Sequence, residues 1–283
     1  MTTPTSPIDV RLLSAPEMHI ALDWARLEGW NPGPNDAASF FAVDPEGFWA
    51  SLHDGEPAAV VSVVRYGETF GFLGLYICRP ELRGMGYGKR VWDAALAAAG
   101  NRVIGLDGVP AQQDNYRRSG FELAWGNRRY RGFGRPGIVA PDVVDLDTVP
   151  FAQLAAYDAA TFEADRQRFL RVWVAQPDAV RLGVVRDGAL VGWGLLRRCA
   201  DGYKIGPLMA DDASVAERLL DAFLASVPGA PVFLDVPEPN TAAVDMAKAH
   251  GMTVSFETAR MYRGVAPTIA LDRVWGITTF ELG

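Results

Sequence analysis

The stretch RPELRGMGYGKRVW, residues 79–92, sets three alternate glycines behind an arginine just where a helix should begin. Gly84, Gly86 and Gly88 are poor helix formers, and mid-helix each would cost about 1 kcal/mol against alanine. Bare backbone must be needed there for another reason. Upstream, FLGLYIC reads as a buried strand. Downstream, Val91, Trp92, Ala95, Leu96 and Ala99 fall on one face of a helix over about 88–99. A helix start leaves N–H groups without partners at the positive end of the helix dipole, so it attracts an anion. Glycines let a phosphate reach those N–H groups, and Arg83 and Lys89 add positive charge at the rim. The plain alternative is a turn that only caps the helix, although a capping glycine belongs at the other end.

Two familiar nucleotide motifs do not fit. The dinucleotide fingerprint needs G-x-G-x-x-G after a parallel strand, whereas the glycines here alternate and the preceding strands are joined by hairpins. The Walker motif needs Gly-Lys-Ser/Thr, and Gly88-Lys89 is followed by Arg90.

Outward from the glycines the chain shows an order of elements that occurs twice. In the first half, IDVRLL is strand-like and a helix runs from Pro16 to about Leu27. The segment from Gly47 to Cys78 gives three antiparallel strands with turns at HDGE and YGET. After the glycine helix come the strand RVIGLDG, a short helix PAQQDNYRRSG, and FELAW and RRYRG. The Gly- and Pro-rich segment 131–145 reads as a linker. Beyond it PDVVDL is strand-like, FAQLAAYDAATF and RQRFLRVWVA are helical, and VRLGVVRDGALVGWGLLRRCADGYKIGPL again gives three strands. The helix ASVAERLLDAFLASV, the strand PVFLDV and the helix TAAVDMAKAHG complete the repeat. The expected fold is α+β: two tandem domains, 1–136 and 137–283, each a mixed, mostly antiparallel twisted sheet flanked by helices.

Composition narrows the function. Apolar residues make up 49% and charged residues 22% of the 283, as in a folded globular chain. The net charge of −7 argues against nucleic acid or an anionic membrane as a partner. No apolar run approaches the roughly 20 residues that span a bilayer, and MTTPTSPIDV has neither the basic nor the apolar part of a signal peptide. Cys78 and Cys199 lie far apart, and with three histidines a metal site is not expected. A cytoplasmic, metal-free protein follows.

Arg83-Gly84-Met85-Gly86-Tyr87-Gly88, with Pro80 ahead of it, resembles the acyl-CoA signature R-x-x-G-x-G of the GNAT superfamily of N-acetyltransferases. Tyr116-Arg117-Arg118-Ser119-Gly120-Phe121 is similar to that family's Y-x-x-x-G-F. The resemblance covers about residues 7–134. EGWNPG, GLDGV and the closing ELG further resemble YitH-like tandem acetyltransferases. The resemblance implies acetyl-CoA as acyl donor, bound by Arg83, Gly84, Met85, Gly86, Tyr87, Gly88 and Lys89. The pantetheine arm would lie against Tyr76, Ile77 and Cys78, between strands that splay apart, with the Cys78 N–H stabilising the oxyanion. It implies Tyr116 as the acid that protonates the leaving CoA thiolate, although a tyrosine there could also simply pack on the sheet. Cys78 as a nucleophile is the rival reading.

For the general base the candidates are Asp107 and Glu28, with Asp36, Glu68 and the more remote His53 behind them, or a water chain; each carboxylate could equally be a plain turn residue. The family's asparagine seven residues before the tyrosine is absent: Val109 stands there, and Gln112 or Gln113 could replace its contact. The loop LEGWNPGPND would cover the acceptor, with Trp30, Asn31 and Asp36 in the substrate wall, or else serve only as helix packing.

The second half has dropped this chemistry. It reads GPLMADDASVAERLL where the glycines should be, and Asp211 and Asp212 would satisfy the helix dipole and repel a diphosphate. Ala247 holds the tyrosine's position. One active site per chain is expected, with the second half a degenerate copy. Arg197, Arg198 and Lys204 could meet an acidic ligand or form a solvated rim. The leading function is direct acetyl transfer to a primary amine of a small molecule. The alternatives are a non-catalytic acyl-CoA or small-ligand sensor, and a protein-lysine acetyltransferase. No readable pattern encodes the acceptor's identity or an oligomeric state.

Overall fold

The computed structural model describes residues 8–283. The opening MTTPTSP, part of the segment read above as lacking a leader, lies outside the described residues. The first half comprises β1 (Val10–Leu12), α1 (Met18–Leu27), α2 (Asp36–Val43), β2 (Phe48–His53), β3 (Glu56–Tyr66), β4 (Phe70–Cys78), α3 (Tyr87–Ala99), β5 (Val103–Gly108), α4 (Gln113–Arg118) and β6 (Glu122–Phe133). The second comprises β7 (Val143–Asp145), α5 (Phe151–Thr161), α6 (Gln167–Val174), β8 (Val180–Arg186), β9 (Ala189–Arg198), β10 (Tyr203–Ala210), α7 (Ala213–Ser226), β11 (Pro231–Pro237), α8 (Thr241–Ala249), β12 (Thr253–Arg263) and β13 (Val274–Gly276). The chain is a tandem α+β repeat, and its pairings are antiparallel except β4 with β5 and β10 with β11.

Two features differ from the sequence reading. FELAW and RRYRG form one continuous strand, β6, so the irregular segment begins only after Phe133. More consequentially, the last strands of the two halves have exchanged places. The sheet order is β1-β2-β3-β4-β5-β12-β6-β11-β10-β9-β8-β7. Strand β12 pairs with β5 from Ala259–Gly108 to Arg263–Ile104, and β6 pairs with β11 from Pro231–Phe133 to Pro237–Asn127. An alternating strand pattern fixes which face is buried but not which edge it joins. The sheet therefore runs unbroken through both halves.

Helix α3 buries Val91, Trp92, Ala95 and Ala99 against one face of this sheet, with Leu106 and Phe121. The other face packs Phe48, Phe70, Phe72 and Leu75 against α1, α2 and α6, where Trp173 of the second half enters the first half's core. Buried ion pairs join the halves: Asp36 with Arg197 at 2.8 Å, Arg129 with Asp235 at 2.6 Å, and Asp107 with Arg260 at 2.8 Å. Arg197 and Lys204 are buried, so they form no surface for an acidic ligand; the Lys204 Nζ donates to the Asn31 carbonyl at 3.0 Å.

Candidate active site

Strands β4 and β5 run parallel from Phe70–Val103 to Leu73–Leu106 and then part. On its other edge β4 slips register against β3 between Ser62–Gly74 and Val60–Ile77, so one extra residue of β4 bulges out. Leu75, within the bulge, has φ +48°, a conformation a bulky side chain adopts only at a cost. The bulge bends β4 away from β5, and a cavity of about 700 Å³ opens at the wedge.

At one end lies the glycine turn. Gly84 and Gly86 have φ +78° and +94°, which explains glycine at both. A Cβ on Gly88 would stand 2.7 Å from the Tyr76 hydroxyl, so the third glycine is a matter of space. Gly86 is the N-cap of α3, and no side chain caps that helix. Its first turn is thus not closed by a capping side chain at Gly86, an arrangement that suits an anion. Gly84, Gly86, Gly88, Arg83 and Lys89 line the cavity, while Met85 and Tyr87 do not; Met85 is exposed, and the Tyr87 hydroxyl meets His53 Nδ1 at 2.6 Å. The Arg83 guanidinium donates to the Cys78 carbonyl at 3.0 Å and to Glu28 at 2.5 Å.

Along the middle run Tyr76, Ile77, Cys78 and Tyr116. The Tyr116 ring stacks on Trp92, with centroids 5.5 Å apart. It lies so close to Gly108 that a Cβ there would come within 2.7 Å of the ring. Burial pushes the Tyr116 phenol well above its usual range, so it holds its proton at neutral pH. Burial also raises the Cys78 thiol, against the pull of Arg83 and of a hydrogen bond from the Gly88 N–H. A raised thiol is a poor nucleophile.

Glu28 and Trp30 from the first half, and Phe256, Thr258, Phe280 and Glu281 from the second, also line the cavity. Sequence reasoning missed the last four. Phe256, Thr258 and Phe280 carry no motif, and Glu281 stands in the closing ELG without a role assigned to it; the strand exchange and the fold of the C-terminal segment bring all four to the wedge. Asp107 lines the cavity, but its side chain is fully covered and accepts from Arg260 at 2.8 and 2.9 Å and from Asn127 at 2.7 Å. Burial pushes the Asp107 carboxyl up, opposed by Arg260. Asn31 and Asp36 stand outside the lining: Asn31 exchanges hydrogen bonds with Asp201, and Asp36 holds Arg197 and the Gly33 N–H. Gln112 lines the cavity beside Val109 and Ala111, and Gln113 does not.

The corresponding wedge of the second half is closed. Strands β10 and β11 run parallel from Tyr203–Val232 to Ile205–Leu234, and β13 then fills the gap, pairing Leu208 with Gly276. The Ile277 N–H donates to the Asp235 carbonyl at 2.9 Å. Helix α7 is capped by Asp212, whose carboxylate accepts from the Val215 N–H at 2.9 Å.

Comparison with known proteins agrees with this geometry. Residues 15–121 match the acetyltransferase (GNAT) family profile, and residues 154–276 match an acetyltransferase (GNAT) domain profile. The chain is 32% identical to holothin acyltransferase of Pseudoalteromonas sp. (strain SANK 73390), covering 95% of this chain and 92% of that one. It is 26% identical to the uncharacterized N-acetyltransferase YitH of Bacillus subtilis over 61% of this chain and 62% of the relative. The crystal structure of a putative acetyltransferase from Pyrococcus horikoshii superposes with a TM-score of 0.85 at 22% identity, covering 100% of this chain and 98% of the other. Two GNAT profiles in succession, a wedge beside an uncapped helix in the first and a filled wedge in the second identify the chain as a member of the GNAT acyltransferase family, with tandem domains of which the C-terminal one is degenerate.

Proposed function

We propose that the protein is an acetyl-CoA-dependent N-acetyltransferase that passes the acetyl group directly to a primary amine of a small molecule. The observation that carries this reading is the continuous cavity joining the uncapped start of α3, the β4–β5 wedge and an aromatic end. The N–H groups of residues 83–89, with Arg83 and Lys89, suit the diphosphate of CoA. The wedge edge at Tyr76–Cys78 suits the pantetheine, and a backbone N–H there suits the oxyanion, a contact worth ~10²–10³ in rate. Tyr116, protonated and at the wedge, suits the acid that meets the departing thiolate. The relative named holothin acyltransferase supports acyl transfer with a particular acceptor. The unpaired Cys78 and Cys199 suit a reducing, cytoplasmic setting.

A thiol-release assay with acetyl-CoA and a panel of amines tests the proposal, beside calorimetric titration with acetyl-CoA. Acceptor-stimulated release of CoA is the expected result. Binding without such release identifies a sensor instead, and no binding at all removes the reading.

A further inference from the structure

We propose that Glu281 takes the proton of the acceptor amine, and that Trp30, Phe256 and Phe280 form an acceptor subsite for an amine carried on a planar, apolar scaffold. This rests on the N-acetyltransferase reading above and deepens it.

Three carboxylate residues line the cavity beside the wedge. Glu28 is held by Arg83, and Asp107 by Arg260 and Asn127. Glu281 is 3% exposed, yet among the described residues its carboxylate accepts no hydrogen bond and joins no ion pair. An almost wholly covered carboxylate with no bonded neighbour meets only the cavity, and the group that suits it there is a cationic donor from outside. The Thr258 hydroxyl, also in the lining, is buried and likewise unpartnered.

The fold holds Glu281 firmly at this place. The Tyr66 hydroxyl donates to the Leu282 carbonyl at 2.9 Å, and the Leu282 N–H donates to Thr279 Oγ1 at 3.0 Å. A Cβ on Gly74 would stand 2.1 Å from the Glu281 carbonyl oxygen, so the tail lies against β4 one residue before the bulge.

The aromatic residues are fixed as well. Phe256 and Phe280 sit with ring centroids 6.1 Å apart, and the Arg129 guanidinium lies 5.6 and 4.9 Å from them. The Trp30 carbonyl accepts from Arg129 at 2.8 Å. Apart from Glu281, Thr258 and the Arg83-bound Glu28, this wall offers flat apolar surface, which suits a planar ring system better than a polyamine.

In the step itself the acceptor arrives as an ammonium ion and Glu281 takes one proton. The freed nitrogen pair forms the C–N bond to the thioester carbon, and the carbonyl pair moves onto oxygen. Collapse breaks the C–S bond, and the thiolate takes the Tyr116 proton. The remaining excess N–H proton restores Tyr116, and Glu281 passes its own to water. The products are the amide, CoA thiol and one proton.

The test is thiol release by the full chain and by its Glu281→Ala and Glu281→Gln variants, with tryptamine as planar amine and putrescine as linear one. We expect the parent to favour tryptamine, and both variants to lose ~10²–10³ in kcat with the KM for acetyl-CoA little changed. Added formate should restore about tenfold of the loss in Glu281→Ala and nothing in the parent, a rescue that a merely structural glutamate would not show. If Glu281→Ala does not fold, the near-isosteric Glu281→Gln carries the kcat test alone. Variants that turn over like the parent, a loss that formate leaves untouched, or a preference for putrescine overturn the inference and leave the N-acetyltransferase reading standing. A parent that binds acetyl-CoA but releases no thiol with any amine overturns that reading, and this inference with it.

Discussion

Tyr116 owes its place to two other residues. Trp92 stacks beneath its ring, and Gly108 leaves the room that a Cβ would take. Its phenol keeps its proton because burial penalises the phenolate. Tyr116→Phe should therefore lower kcat by ~10² or more while the Kd for acetyl-CoA, measured by calorimetry, stays within about threefold. Gly108→Ala should give the same split without touching the hydroxyl, because it displaces the ring. An unchanged kcat in Tyr116→Phe would remove the acid from the mechanism. The tyrosine was legible in the sequence because Gly120-Phe121 follow it at a telling spacing. The need for Gly108 was not, since it arises from a contact across the fold. Glu281 was visible only as part of the closing ELG: its lack of a bonded neighbour is a property of what surrounds it.

Helices α3 and α7 start at equivalent places in the two halves and are finished in opposite ways. The first is left uncapped behind glycines, and the second is capped by Asp212. Gly88→Val should project into the Tyr76 hydroxyl and crowd the N–H groups, lowering acetyl-CoA affinity more than about tenfold in a titration, with Tm little changed because the site is open. Asp212→Ala should cost about 0.5–1 kcal/mol at pH 7, toward the low end because the carboxylate is half exposed. Hydrogen bonds from Ser214 and the Val215 N–H hold the Asp212 carboxyl at about 2, below its ordinary 3.8. The stabilisation is therefore complete above about pH 5 and lost as pH falls toward 2, so the Tm gap between variant and parent should narrow from pH 5 to pH 3. This contrast was legible, since the aspartates stand in the sequence where the glycines are missing. The single strand β6 was not: Gly126 and Asn127 interrupt its alternation, and only pairing with Pro237 and Thr258 shows it to be continuous.

Across the whole molecule the exchange of β6 and β12 makes one sheet out of two repeats. Buried Arg129–Asp235 and Arg260–Asp107 pairs fasten the exchanged strands to their adopted neighbours. Asp235→Ala leaves Arg129 buried without its counter-charge and should cost about 3–5 kcal/mol in urea unfolding. Calorimetry of the full chain should show one transition with equal calorimetric and van't Hoff enthalpies; two resolved transitions would mean that the halves melt independently. The sequence marked Asp235 and Arg260 as polar points among apolar neighbours, but their partners lie in the other repeat and no local pattern names them. The same topology bears on biosynthesis. As the nascent chain leaves the ribosome, β5 and β6 emerge with bare edges and wait for β11 and β12, so the early product is a template for misassembly and a client for a holdase. The cavity gains Phe280 and Glu281 only from residues beyond β13, so a chain cut short before them would be born without that part of its wall.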